Sequence, residues 1–124
     1  MMSFAQAAAW CRMAAKQGHA VAQNNLARLY ETGHAVGRDY QQAEYWYRKA
    51  AEQGLALAQL NLGEMYAEGA GVPQDYAEAV IWLRKSAEQG NEQAKDTLKG
   101  VLSKIQAVER EGTRSPLWKH PKDS

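Results

Sequence analysis

Apolar and polar positions along this chain keep two periods at once. Locally, apolar residues recur every three or four positions: Tyr40, Ala43, Tyr47, Ala50 and Ala51 form one stripe with Trp46 beside it, and Ala58, Leu62, Met65 and Tyr66 form the next. That spacing places each set on one face of an α-helix. The longer period is 36 residues and carries Trp10, Trp46 and Trp82. Phe4, Tyr40 and Tyr76 move with it, as do Ala7, Ala43 and Ala79, and Gln17-Gly18, Gln53-Gly54 and Gln89-Gly90. Ala22, Ala58 and Ala94 follow, then Leu26, Leu62 and Leu98. A fixed period of this size marks a repeat array, in which each unit buries its apolar face against the next. The fold class predicted is all-α, a stacked array whose function belongs on a continuous surface.

Each repeat reads as two helices. Over 39–53, Asp39 is a good N-cap and Gln42, three residues on, completes a capping box; Gly54 ends the helix. The same box is expected at Asp75 with Glu78 and, more weakly, at Ser3 with Gln6. The other helix runs from about Ala20 to Glu31, with a stripe of Ala22, Leu26, Leu29 and Tyr30, and again from about Leu55 to Glu68. Gly33 and Gly69 stop these helices, and the loops 34–38 and 70–74 turn the chain back, the second stiffened by Pro73. Core roles are expected for Leu26, Leu62, Tyr30, Tyr66, Trp46 and Trp82, with Trp10 lacking an earlier helix pair to cover it.

The last helix departs from the pattern. Lys99 stands where Ala27 and Gly63 stood, Leu102 replaces the tyrosines, and no glycine stops it on schedule. Its stripe of Ala94, Leu98, Val101, Leu102, Ile105 and Val108 continues to about Arg110, as a capping helix needs: one face packed, the other solvated. The expected division is a solenoid over 1–110, made of a half repeat 3–18, repeats 19–54 and 55–90, and a capping helix 91–110. A polar, flexible tail over 111–124 completes it, with Leu117 and Trp118 as its apolar residues.

Composition narrows the chemistry. An apolar share of 45% is ample for a core, and a net charge of +1 supplies no global field toward nucleic acid or an anionic membrane. The single cysteine, Cys11, has no internal disulfide partner and shares its column with Tyr47 and Leu83, which suggests half-buried packing. No apolar run reaches the roughly 18 residues of a membrane span. The N-terminus carries no charged-then-apolar signal pattern, so a cytoplasmic location is expected as the sequence stands, and a periplasmic or secreted one if that end has been processed. Phosphate-loop, zinc-protease, nucleophile-elbow and Cys-x-x-Cys motifs are absent, and His19, His34 and His120 share no helical face. No enzyme activity, cofactor or metal is expected. Nucleic-acid binding is disfavoured, because the aromatics are buried by pattern and Arg12, Arg38, Arg48, Arg84 and Lys85 are interleaved with acids.

Four stretches carry a resemblance. Asn25-Leu26-Ala27-Arg28-Leu29-Tyr30-Glu31-Thr32-Gly33 and Asn61-Leu62-Gly63-Glu64-Met65-Tyr66-Ala67-Glu68-Gly69 are similar to the first helix of Sel-one-like repeats. The loop at 69–76 and the helix at 79–90 resemble the rest of the unit, so the likeness covers about residues 3 to 100. It implies a tetratricopeptide-like α-solenoid of antiparallel helix pairs in a right-handed superhelix. It also implies an adaptor or scaffold that binds other proteins, of a kind common in bacteria. The secreted, disulfide-rich members pair cysteines in each repeat, which this chain does not.

In such arrays the first helix of each pair lines the concave face. Carried over, that geometry assigns partner binding to Val21, Asn24, Arg28 and Glu31, then Leu57, Leu60, Glu64 and Glu68, then Gln93 and Asp96. Leu57 and Leu60 would give the groove an apolar centre for a peptide or helix of a partner protein, flanked by Arg28 and Glu64. The alternatives are a structural protein that forms homodimers through its open N-terminal helix, and an immunity-type binder that neutralises a toxin or effector.

Overall fold

The computed structural model describes residues 3–114, which form six α-helices and, among the described residues, no strand. They are α1 (Phe4–Lys16), α2 (Ala20–Thr32), α3 (Tyr40–Glu52), α4 (Ala56–Glu68), α5 (Tyr76–Glu88) and α6 (Glu92–Arg114). Each helix packs on its neighbours in sequence, and α4 also touches α6. The first helices of the pairs, α2, α4 and α6, are called A helices below, and α1, α3 and α5 are B helices. The last helix runs to Arg114, four residues past the expected stop; the remainder of the expected tail, with Leu117 and Trp118, lies outside the described residues.

Helix starts follow the capping residues, with an inversion of the expected ranking. The full reciprocal box forms at Ser3: its Oγ accepts the Gln6 N–H at 3.1 Å, and its own N–H donates to Gln6 Oε1 at 2.9 Å. Asp39 accepts from the Gln41 and Gln42 amides and Asp75 from the Glu78 amide, but only this half of the box forms. The reason is competition for the cap's own N–H. Asp39 N–H donates to the Tyr30 carbonyl and Asp75 N–H to the Tyr66 carbonyl, each at 2.9 Å, which ties the inter-helix loop to the preceding A helix.

The core lies between the helix layers. Ala27, Ala43, Tyr47, Ala50, Ala51, Ala58, Leu62, Met65 and Trp82 form one buried cluster, and Leu60, Ala79, Leu83, Ala94 and Val101 a second. Small residues let the helices approach closely. A Cβ added to Gly63 would sit 2.7 Å from Leu83 Cγ and 3.3 Å from the Ala79 carbonyl oxygen. Leu26 and Leu62 are fully buried, as expected. Tyr30 and Tyr66 are only half-buried, because their rings reach the edge of the array.

The tryptophan column is graded: of the two expected in the core, Trp82 is the more buried, and Trp10 is the least covered of the three. Trp82 is 9% exposed, Trp46 is half-buried and Trp10 is 63% exposed. Arg48 of α3 and Lys85 of α5 lie over the Trp82 ring, Trp46 lines an open cleft with Ala15 and Lys16 of α1, and no described B helix precedes α1.

A polar ladder runs through the same layers. Gln89 Nε2 donates to Gln59 Oε1 and the Gly54 carbonyl, and Gln59 Nε2 donates to the Ala51 carbonyl. One repeat earlier, Gln53 Nε2 donates to Gln23 Oε1 and the Gly18 carbonyl, and Gln23 Nε2 to the Ala15 carbonyl. Gln23 and Gln59 are buried, so these bonds satisfy groups that would otherwise be stranded.

Candidate functional site

One line of positions at i, i+4, i+7 and i+11 runs along the A helices, exposed except at Asn61, Glu64 and Thr97, which are half-buried. The line is Val21, Asn25, Arg28 and Thr32 on α2, then Leu57, Asn61, Glu64 and Glu68 on α4, then Gln93, Thr97, Gly100 and Lys104 on α6. It is apolar at the start of α2 and α4 and charged toward their ends. Read across the array, the charged end goes from Arg28 through Glu64 and Glu68 to Lys104. Between α4 and α6 the line opens into a pocket of about 270 Å³, walled by Glu64, Ala67, Glu68, Thr97, Gly100 and Lys104.

Of the residues assigned to the groove from sequence, Val21, Arg28, Leu57, Glu68, Gln93 and Asp96 are exposed. Of the other four, Glu31 and Glu64 are half-buried and two are buried; the buried two are corrections. Asn24 is 1% exposed and Leu60 is 2% exposed. They occupy one column, which faces the next A helix: Asn24 Oδ1 accepts from Asn61 Nδ2 at 3.0 Å, and Leu60 packs in the cluster that contains Ala94 and Val101 of α6. Asp96 is exposed in the same column because no further A helix follows among the described residues. The apolar centre of the groove is therefore Leu57 with Val21, without Leu60.

Glu31 and Glu64 are half-buried and held. Tyr47 Oη donates to Glu31 Oε1 at 2.7 Å, joining α3 to α2. Burial, then the bond to Glu31 and its charge, push the Tyr47 hydroxyl well above the ordinary tyrosine range, so it stays a donor. Glu64 Oε2 accepts from Gln93 Nε2 and Thr97 Oγ1, both at 3.3 Å. Burial raises the Glu64 carboxyl above its usual range, these two bonds pull it down, and the nearby charges of Glu68 and Glu31 push it up again. The site is thus a preformed acidic spot with long, adjustable hydrogen bonds.

The opposite side carries a different cluster. Arg48 bonds Glu44 at 2.9 Å and Tyr66 Oη at 2.8 Å, lies 3.8 Å from Glu78, and sits over the Tyr66 and Trp82 rings. It joins α3, α4 and α5 and uses its charge internally. Nor are all aromatics buried, as the sequence reading had them: Phe4, Trp10 and Tyr45 are exposed, and Lys49 lies over the Tyr45 ring. Among the described residues no group of three His, Cys, Asp or Glu side chains is placed to hold a metal, and no helix is long and apolar enough to cross a membrane.

The comparisons with known proteins agree with the repeat fold. The sequence model of the Sel1 repeat matches residues 3–19, 20–55 and 56–91. The chain belongs to the Sel1 repeat family. Among solved structures, a Sel1 repeat protein from Oxalobacter formigenes is 41% identical with a TM-score of 0.70, over 73% of this chain and 37% of that one. The structure of c5321, a protective antigen present in uropathogenic Escherichia coli strains and displaying an SLR fold, is 47% identical with a TM-score of 0.75. That match covers 77% of this chain and 20% of that one. The chain therefore spans well under half the length of either. No curated protein matches it.

Sel1 repeat proteins generally mediate protein–protein interaction, and the fold is typically a non-enzymatic scaffold. Within this Sel1 array the sequence reading missed Asn25, Thr32, Asn61, Thr97, Gly100 and Lys104 on the A-helix line. The 36-residue period contains the signal: adding 36 to Val21, Asn25, Arg28 and Thr32 generates the other two lines.

Proposed function

We propose that this Sel1 array is an adaptor that grips a segment of a partner protein along its A-helix face. The segment rests apolar side chains on Val21 and Leu57 and places a basic side chain in the pocket between α4 and α6, against Glu64 and Glu68. The observation that carries the reading is the placement of two carboxylates at one exposed pocket with an apolar shelf at the other end of the same helix. A cation in the pocket would offset the burial and like-charge repulsion that disfavour ionised Glu64. Lys104, which also walls the pocket, and Arg28 on α2 would repel a second basic residue and so fix the register.

A random peptide library selected on the wild-type chain tests this. Enriched peptides should share a Lys or Arg at a fixed distance from an apolar residue. They should lose binding roughly tenfold or more to a Glu68→Lys, Leu57→Glu variant, the scale expected when a charged contact and an apolar contact are lost together. Both positions are exposed, so the variant should keep its helical fold. Enrichment of acidic or purely apolar peptides, or binding unchanged by the variant, would overturn the reading.

A further inference from the structure

Gly63 and Gly100 both lie inside helices, where glycine weakens the helix relative to alanine. Gly63 has its reason in the crossing of α4 and α5, since a Cβ there would meet Leu83 at 2.7 Å. Gly100 has no such reason. Its φ lies outside the left-handed region, and an added Cβ would meet nothing within 4 Å. One and two repeats earlier its column holds Glu64 and Arg28, both long side chains. Neither backbone conformation nor packing asks for glycine at this point, so its effect lies in the surface it leaves open.

That surface is a wall of the pocket between α4 and α6. Ala67, Gly100 and Val101 give the pocket a small, apolar lining, and Glu64 and Glu68 of α4 give it two carboxylates. Side chains four residues apart on a helix share one face, with Cβ atoms about 5 to 6 Å apart. Glu64 Oε2 accepts from Gln93 and Thr97, while Glu64 Oε1 and the Glu68 carboxylate meet no donor among the described residues. Lys104 walls the same pocket and forms an ion pair with neither of them. The acidic pair is therefore open to a cation from outside.

We propose that the basic side chain taken by this pocket is an arginine, and that Gly100 selects it over lysine; this rests on the reading of the pocket as the seat of a partner's basic residue. A guanidinium is planar and weakly hydrated. Its face can lie on bare helix backbone and apolar lining while its edges reach both carboxylates at once. An ammonium is a compact, strongly hydrated point charge with no flat face to lay against that lining. A side chain at position 100 would take the place of the flat group and leave only the attraction of the charges, which arginine and lysine share.

The test uses a peptide enriched from the random library on the wild-type chain, made in two forms with Arg or Lys at the shared basic position. On the wild-type chain the Arg form should bind roughly tenfold more tightly, the scale of one charge-assisted hydrogen bond. On Gly100→Leu both forms should bind more weakly and the preference should disappear. The variant should itself have a higher urea midpoint, because leucine is the better helix former and the added Cβ meets nothing. Gly100→Ala should move the midpoint and the preference in the same directions, each by less. Equal binding of the two forms, or a preference that survives Gly100→Leu, would overturn the inference and leave the basic-residue reading standing. A lowered midpoint would overturn it too, by giving Gly100 a packing role. Enriched peptides that share no basic residue would overturn both.

Discussion

Tyr47 and Glu31 form a bond that the repeat does not predict, because their counterparts are Leu83 and Ala67 in the next unit. The ring is buried and its hydroxyl has one strong acceptor, so Tyr47→Phe should cost about 1.5 to 3 kcal/mol, the range for a hydrogen bond to a charged group. The pH dependence has a definite sign. A hydroxyl whose folded value is raised above the ordinary 10.0 contributes stability that is fully present below pH 10.0 and is lost as pH rises through the folded value. Denaturant melts of both chains should therefore show a constant gap at neutral pH that narrows above pH 10.0. A gap that is absent, or that widens in alkali, would remove this bond from the account.

Among the elements, the close crossing of α4 and α5 decides most. Alanine is the better helix former by about 1 kcal/mol, yet Gly63→Ala would drive its methyl into Leu83, which is fully buried and has nowhere to move. Overpacking should win, giving a net loss of roughly 1 to 2 kcal/mol, read as a lower urea midpoint with helix content unchanged. A stabilised variant would show that α4 and α5 separate easily. This crossing also shows how much the sequence conveys. The column Ala27, Gly63, Lys99 reads as two seated helices and one cap, and the helix boundaries followed from Asp39, Asp75 and the glycines. What stayed illegible depended on neighbours one repeat away. Asn24 and Leu60 look outward on an isolated helix and are buried only because α4 and α6 close over them. Ser3 forms the full capping box where no carbonyl among the described residues competes for its N–H, and Trp46 lies half-open beside a cleft it shares with α1.

The whole molecule is a directional stack with unlike ends. At one end of the described residues Lys99 of α6 stands in the column of Ala27 and Gly63; at the other, Phe4 and Trp10 of α1 are exposed. Between them the A helices carry one repeated line of side chains whose chemistry changes from unit to unit while its geometry does not. Packing columns keep Leu, Ala and Tyr, whereas the A-helix line varies through Val21, Leu57 and Gln93, and through Arg28, Glu64 and Gly100. On the proposed function, binding specificity would be written in that variable line. A chain of 13.8 kDa suits amide-resolved NMR, and titrating a library-selected peptide into the labelled protein would locate the bound segment directly. The account predicts shifts concentrated on the amides of Val21, Arg28, Leu57, Glu64, Glu68 and Gln93. Shifts confined to the outer face of the B helices, at Tyr45, Ile81 and Arg84, would contradict it.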